Sequence, residues 1–276
     1  MKKILISGDD FGLSEGINSG IIECLQAEVL TRISFLAATD LFASSVKLLK
    51  ENSINSVGIH LMLVGSGRPL SSGLTNLVSE SGCFYPHYST ILKKILLGKV
   101  RGAAIEKEFR MQIERVLKEG FTITHMDSHQ HLHLFPTISD ITVKLAKEYG
   151  IFYIRCPYSE ETDMMGFLVN ILSLALRENI RKHGLATSDY FKGFDFRLAI
   201  DEARLSRILD NLKEGVTELV VHPASDGYCA YEVYNNQHKR QVELKALLSE
   251  KISYRIRALF NEAEAKDKDT AVLTAI

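Results

Sequence analysis

The chain has 276 residues, of which 46% are hydrophobic, and its formal net charge is −1. A chain of this length can bury a sizeable core, and α/β barrels of this size are commonly one domain, so we expect a single domain over residues 1–276. The nearly neutral charge argues against nucleic acid or an anionic membrane surface as the main partner.

The cysteines and the N-terminus bear on the cellular compartment. Cys24, Cys83, Cys156 and Cys229 show no CxxC spacing, which is typical of reduced thiols. The apolar run at residues 4–6 is too short for the core of a signal peptide, and no stretch approaches the roughly 20 apolar residues of a membrane span. We therefore expect a cytoplasmic protein.

The first half of the chain alternates short apolar runs with amphipathic, helical patterns. In chain order these patterns predict strand 2–7, helix 14–28, strand 32–37, helix 41–49, strand 57–61, helices 90–97 and 103–117, strand 123–126 and helix 136–149. Ser14 is the expected cap of the first helix. Residues 62–86 are rich in Gly, Ser and Pro and predict an irregular excursion.

The second half continues the alternation with less regular strands. The patterns predict strand 152–155, helix 167–182, a weak strand at 190–196, helix 200–212, strand 217–221, and helices 238–248 and 252–264. Residues 271–276 form either a last strand or a frayed tail. This alternation predicts an α/β fold with a parallel sheet covered by helices. We expect a (β/α) barrel of seven or eight strands, regular or distorted, with a doubly wound open sheet as the alternative.

Ionisable side chains occupy every second position from residue 125 to residue 133. They are His125, Asp127, His129, His131 and His133. Because alternate side chains of an extended strand share one face, we expect all five on one side of the fourth strand. Burying such a face without partners is costly, so the pattern indicates a divalent metal. A solvent-exposed, His-rich tract is the alternative.

Other predicted strands also end in ionisable groups. Asp9 and Asp10 follow the first strand, and His60, Arg155 and His222 end later ones. In α/β folds the carboxyl ends of the strands gather functional residues, so we expect these groups to lie together.

These residue types supply the parts of a metal hydrolase. One of the adjacent aspartates can bind the metal while the other acts as general base, although either could instead cap a helix. His60 is a candidate ligand, or else a core histidine with a satisfied hydrogen bond. Arg155 is expected to hold the base ionised, unless it forms an ordinary surface pair. His222, before a proline, is a candidate general acid.

Four segments resemble the YdjC-like (ChbG/HpnK) carbohydrate deacetylase family. They are residues 9–14 (DDFGLS), 58–61 (GIHL), 124–136 (THMDSHQHLHLFP) and 222–223 (HP). The resemblance implies a (β/α) barrel that removes N-acetyl groups from amino sugars such as chitooligosaccharides with one divalent metal, most often Mg²⁺. It places the metal ligands on Asp10, His60 and His129. Similarity to NodB-type deacetylases makes Asp9 the base and His222 the acid.

The remaining polar residues are assigned to support or to substrate. We expect His125, Asp127, His131 and His133 to orient the ligands or to contact the sugar. Specificity is expected from the loops at 62–86 and 224–236, where Tyr228 and Tyr231 can stack on sugar rings. These loops could instead only pack on the barrel or form a subunit contact.

Several points stay open on the sequence alone. The donor set also suits Zn²⁺, Co²⁺, Mn²⁺ or Fe²⁺. Alternative functions are a metal-dependent phosphoesterase or amidohydrolase, or a non-catalytic metal-binding protein on the same scaffold. The expected partner is a small carbohydrate, with no nucleic acid and no membrane, and the sequence leaves a homodimer open.

Overall fold

Strands and helices alternate along the chain in the computed structural model, which describes residues 1–65, 67–73, 75–194, 199–225 and 237–268. The strands are β1 (Lys2–Phe11), β2 (Arg32–Phe35), β3 (Ser56–Leu61), β4 (Thr122–Ser128), β5 (Tyr190–Lys192) and β6 (Gly215–Val221). The helices are α1 (Glu15–Gln26), α2 (Phe42–Glu51), α3 (Tyr88–Leu96), α4 (Gly102–Lys118), α5 (Pro136–Glu148), α6 (Met164–Lys182), α7 (Glu202–Asp210), α8 (Gln237–Leu248) and α9 (Glu250–Lys268). Short 3₁₀ segments lie at Thr75–Leu77 and His129–Leu134.

All strands of the described residues join one parallel sheet in the order β4-β3-β2-β1-β6-β5. The α/β class with a parallel sheet is therefore confirmed, with six strands rather than the seven or eight expected. The predicted strand at 152–155 is reduced to two isolated bridges, Met126–Ile154 and Tyr153–Ala186. Pro157 follows almost at once and has no N–H to continue a ladder, which explains the short pairing.

The central strand β1 is buried from Ile6 to its end and pairs with β2 and β6. Helix α1 packs against it through Ile17 and Ile21, which lie one turn apart on the same face. Ser14 caps this helix as predicted, because its hydroxyl accepts a hydrogen bond from the Ile17 N–H at 3.2 Å. The cap and the apolar stripe together fix the turn that follows Asp9 and Asp10.

The carboxyl end of β1 departs from regular strand geometry. The pairing register with β2 shifts between Gly8 and Phe11, and Asp10 has a φ of 69°. A non-glycine residue in this left-handed region is uncommon, and such strain recurs at functional sites. The irregularity interrupts the alternation of a regular strand, and both Asp9 and Asp10 line the same cavity.

The histidine-rich segment does not form one continuous strand face. β4 ends at Ser128, and the next six residues form a 3₁₀ segment in which Gln130 and His131 have φ values of 54° and 53°. The prediction that all five ionisable side chains share one strand face was therefore wrong. The chain turns here because the Ser128 hydroxyl accepts a hydrogen bond from the His133 N–H at 2.9 Å, just before Pro136 starts α5.

Among the described residues, no helix combines the length and apolarity needed to cross a membrane. The last strand or tail predicted at 271–276 lies outside the described residues.

Candidate metal centre and active site

Asp10, His60 and His129 meet at the carboxyl edge of the sheet. The Asp10 Oδ1 atom lies 2.8 Å from His129 Nδ1 and 3.5 Å from His60 Nε2. One donor atom from each of the three residues falls within 4.8 Å of the others, so the three can bind one cation together. A carboxylate with two imidazoles is a common donor set for divalent metals.

Asp127 orients His60 from behind. His60 and Asp127 are paired in the register of β3 and β4, and His60 Nδ1 lies 2.6 Å from Asp127 Oδ1. Because Nδ1–H donates to this carboxylate, the Nε2 atom is left to face Asp10. A carboxylate on the far nitrogen of a ligating histidine is the usual support in metal sites.

The charge around these residues favours a cation. Burial opposes protonation of His60, but the carboxylates of Asp127 and Asp9 outweigh it and raise the pKa of His60 to about 10. Burial likewise opposes ionisation of Asp10, yet His129 and Arg240 hold the pKa of Asp10 well below its usual value. The carboxylates around His60 and Asp10 therefore favour positive charge at this position.

A second group of donors, Asp9, His60 and Asp127, also lies within 4.8 Å but is already neutralised. Arg155 contacts Asp9 Oδ2 at 2.6 Å and Asp127 Oδ2 at 2.7 Å. A metal here would compete with the guanidinium, and His60 Nδ1 is used by Asp127. The donor chemistry therefore fits a cation on the group that contains Asp10.

Arg155 is completely buried among three carboxylates. It donates two hydrogen bonds to Asp9, at 2.6 and 2.8 Å, and its Nε donates to Glu218 at 2.8 Å. Glu218 also accepts from the Tyr153 hydroxyl at 2.7 Å. Burial disfavours the charged guanidinium, but Asp127, Asp9 and Glu218 raise the pKa of Arg155 far above its ordinary value. The alternative of a surface ion pair is thereby excluded.

His125 lies beneath the candidate metal ligands. Its Nε2 is 3.1 Å from the Ser34 hydroxyl, which donates to Asp127 Oδ2 at 2.7 Å. A side chain at Gly58 is impossible without movement, since a Cβ there would come within 2.1 Å of the His125 ring. Burial, with smaller contributions from nearby charges, lowers the pKa of His125 to about 3, so the ring is a neutral packing and hydrogen-bonding group.

His131 and His133 occupy different surroundings. His133 is buried, 2.6 Å from the Ser128 hydroxyl and 3.0 Å from the Arg155 carbonyl oxygen. Burial lowers the pKa of His133 to about 4, which leaves a neutral ring that bonds to Ser128 and Arg155. The His131 ring stacks on Phe194 with ring centres 5.3 Å apart and borders the cavity described below.

His222 follows β6 and faces the same space from the other side. The backbone N–H of His222 donates to the Glu243 carboxylate at 2.7 Å. Arg240 lies on α8 together with Glu243 and donates to Asp10 Oδ2 at 2.6 Å. Burial, followed by the nearby Arg240, lowers the pKa of His222 from its ordinary value. At neutral pH the imidazole is therefore uncharged in the free site.

A cavity of about 740 Å³ opens over these groups. Asp9, Asp10, His60, His129 and His222 all line it. The first half of α6 supplies an apolar wall through Met165, Leu168, Val169 and Leu172. The cavity is large enough for a small molecule and places it against the polar cluster.

Several contributors were missing from the sequence analysis. Arg240, Glu218, Ser34 and Glu243 each contact a predicted site residue. Of these four, only Glu218 could have been recognised from the sequence, because a charged residue inside an apolar strand needs a buried partner. Of the excursion at 62–86, only Gly65 lines the cavity among the described residues. Tyr228 and Tyr231 lie outside the described residues.

Comparison with known proteins identifies the family of the chain. The family model described as YdjC-like protein matches residues 3–258. The chain belongs to the YdjC family.

Relatives of this YdjC-like chain include proteins named carbohydrate deacetylase. The protein from Brevibacillus brevis is 30% identical over 246 residues, which cover 89% of this chain and 90% of the relative. The protein from Thermoanaerobacter pseudethanolicus is 30% identical over 260 residues, which cover 93% of this chain and 95% of the relative. A crystal structure from Enterococcus faecalis V583, described as a cellobiose-phosphate cleavage protein, has the same fold, with a TM-score of 0.73 at 23% identity over 94% of this chain and 95% of that one.

Replacing Arg155 should strongly destabilise the protein. Arg155→Lys keeps the charge but removes the fork that reaches Asp9, Asp127 and Glu218, so buried carboxylates lose partners at a cost of about 3–5 kcal/mol. The free energy of unfolding in urea measures this loss. Arg110→Lys is the control, because the half-exposed Arg110 also pairs with two carboxylates, Glu106 and Glu148, and should change by less than about 1 kcal/mol. Equal effects of the two substitutions would contradict the role assigned to Arg155.

Proposed function

We propose that this protein is a metal-dependent hydrolase that removes the N-acetyl group from an amino sugar or a short N-acetylated oligosaccharide. One observation carries the proposal. Arg155 holds the Asp9 carboxylate directly beside the donor set Asp10, His60 and His129. Asp9 and the donor set line the same cavity. The names of the relatives from two bacteria support the same reaction on a carbohydrate.

Asp10, His60 and His129 would hold the divalent cation, with Mg²⁺ favoured by family resemblance and Zn²⁺, Co²⁺ or Mn²⁺ as alternatives. A cation there would polarise the amide carbonyl and make a water molecule more acidic. Arg240 donates a hydrogen bond to Asp10 Oδ2. This leaves Asp10 Oδ1, which faces both histidines, as the ligand atom for the cation.

Asp9 is proposed to accept the proton of the attacking water. Both of its oxygen atoms already receive hydrogen bonds from Arg155, which fixes the carboxylate beside the donor set. Attack on the acetyl carbon forms the tetrahedral intermediate, and cleavage of its C–N bond yields acetate and the free amine.

His222 is proposed to pass a proton to the departing nitrogen. Because burial and Arg240 lower the pKa of His222, the ring enters the cycle neutral. The proton that it passes to the nitrogen is the one that Asp9 takes from the water, so both residues return to their starting protonation states when the C–N bond breaks. The Glu243 carboxylate accepts the backbone N–H of His222 and fixes this end of the strand. Asp127 acts through His60, while Tyr228 and Tyr231 are proposed to contact the sugar.

The reaction class is tested by assaying the purified protein with N,N′-diacetylchitobiose and with p-nitrophenyl phosphate. We expect release of acetate from the first compound, abolished by a chelator and restored by a divalent metal. Turnover of the phosphate ester alone would favour a phosphoesterase. Absence of turnover of any N-acetylated sugar, with metal bound, would favour the non-catalytic alternative.

Metal binding should depend on the two histidines at the strand ends. His60→Ala and His129→Ala should each lower the bound metal from one ion per chain towards none, as measured by elemental analysis after dialysis. Asp127→Asn should keep the ligands but weaken affinity by about 10–100-fold. His183→Ala, an exposed histidine at the end of α6, is the matched control and should bind like the wild type. Unchanged stoichiometry in both ligand variants would exclude this metal site.

The two adjacent aspartates should separate by function. Asp9→Asn should retain the metal and lose turnover by about 10²–10⁴-fold, the usual contribution of a general base. Asp10→Asn should instead weaken metal affinity. Titration of each variant with the metal, followed by kcat at saturating metal, distinguishes the two effects, and urea unfolding controls for lost contacts with Arg155. Full activity of Asp9→Asn would refute the proposed mechanism.

A further inference from the structure

Tyr88 is the only tyrosine that lines the cavity over the candidate metal centre, within the part of the chain that the structure describes. It is the first residue of α3 and is 38% exposed. No hydrogen bond or ring contact joins its side chain to another described residue. By contrast, the hydroxyls of Tyr149 and Tyr153 donate to glutamates at 2.9 and 2.7 Å. The ring and the hydroxyl of Tyr88 are therefore open to a ligand in the cavity.

The backbone on both sides of His87 is held by one side chain of the histidine-rich turn. The Gln130 amide oxygen accepts the Tyr88 N–H at 3.1 Å, and its amide nitrogen donates to the Pro86 carbonyl oxygen at 3.2 Å. Gln130 makes these bonds from a left-handed backbone with a φ of 54°. This conformation is uncommon for a residue with a side chain and costs free energy, and such strain recurs at functional sites.

The loop before Tyr88 also lies against the candidate metal centre. The Gly65 N–H donates to the Tyr85 carbonyl oxygen at 3.0 Å, and Gly65 lines the cavity. A Cβ atom on Gly65 would lie 3.5 Å from the His129 ring, so the loop packs closely on this candidate ligand. Gln130 follows His129 directly in the chain. Two separate contacts therefore fix the start of α3 relative to the donor set.

The chemistry of this position suits a sugar ring. A tyrosine offers an apolar face for stacking and a hydroxyl for hydrogen bonding, which match the faces and the edges of a pyranose. Because its backbone is already held, Tyr88 loses little conformational freedom when a ligand binds. A sugar whose acetyl group lies at the donor set extends into the same cavity that Tyr88 lines.

We propose that Tyr88 is a sugar-binding residue whose ring stacks on a pyranose ring of the substrate, and that Gln130 is the residue that positions it. The proposal rests on the carbohydrate substrate proposed above and identifies a residue that recognises the sugar itself. Tyr88 is outside the donor set and makes the same contact with the bound substrate and with the transition state. It therefore acts on KM and not on kcat.

Steady-state kinetics with N,N′-diacetylchitobiose test the role of the ring. Tyr88→Ala should raise KM by roughly 3–10-fold, the factor expected from one aromatic contact, with kcat changed by less than about 2-fold. Tyr88→Phe keeps the ring and should stay close to the wild-type KM. Tyr254→Ala is the matched control, because Tyr254 is 70% exposed on α9 and does not line the cavity. Equal KM values for Tyr88→Ala and the wild type would overturn the proposal.

A double-mutant cycle tests the positioning role of Gln130. Gln130→Asn keeps an amide and tolerates the left-handed backbone, but its side chain is one methylene too short to reach both Pro86 and Tyr88. It should raise KM while the metal content and kcat stay as in the wild type. Added to Tyr88→Ala, it should raise KM no further, because the two residues act as one unit. If the two increases in KM multiply instead, Gln130 does not act through Tyr88.

Fluorescence separates sugar binding from hydrolysis. The chain has no tryptophan, so Tyr88→Trp places a single indole at this position. In an Asp9→Asn background, which slows the proposed turnover, N,N′-diacetylchitobiose should change the indole emission in a saturable way, whereas Tyr254→Trp should not respond. An emission change without acetate release by the wild type would refute the proposed hydrolysis and retain Tyr88 as a binding residue. Unchanged emission at millimolar sugar would overturn the assignment of Tyr88, whether or not the wild type releases acetate.

Discussion

The guanidinium of Arg155 is the group on which the rest of the site depends. It lies in the interior and contacts Asp9 from β1, Asp127 from β4, Glu218 from β6 and the Ser34 hydroxyl from β2. Each carboxylate would be costly to bury alone, and the arginine would be costly to bury without them. Together they connect four strands at one point. These strands are therefore fixed relative to one another by the same charges that prepare the site.

Two neighbouring aspartates acquire different chemistry from this arrangement. Asp9 turns to Arg155, whereas the left-handed backbone of Asp10 turns its carboxylate to His129, His60 and Arg240. A regular strand would have placed the two side chains on opposite faces of the sheet. The irregular end of β1 lets both reach the same cavity from one strand, at the cost of backbone strain of about 1–3 kcal/mol.

The sequence was informative wherever a side chain stood at the end of a regular strand. Asp9, Asp10, His60 and His222 line one cavity at the carboxyl edge, because parallel strands bring such positions together. Residues after Ser128 were placed wrongly, because the alternation of histidines imitates a strand while the Ser128 hydroxyl closes a turn. A hydrogen bond from a side chain to the backbone leaves no periodic trace in the sequence. The predicted strand at 152–155 is shorter in the structure, where it forms only two isolated bridges. It nevertheless brings Arg155 to the buried carboxylates.

Helix α8 shows why the remaining contributors escaped notice. An ordinary surface helix is identified by an apolar stripe that faces the core. The side of α8 that faces the protein includes Arg240 and Glu243, both buried, and they bond to Asp10 and to the N–H of His222. Buried polar residues of this kind look like a solvated face until their partners are known. The polar character that conceals the roles of Arg240 and Glu243 in the sequence is therefore the property by which α8 completes the charge balance around Asp10. Through Arg240 it also adds to the effect of burial in lowering the pKa of His222.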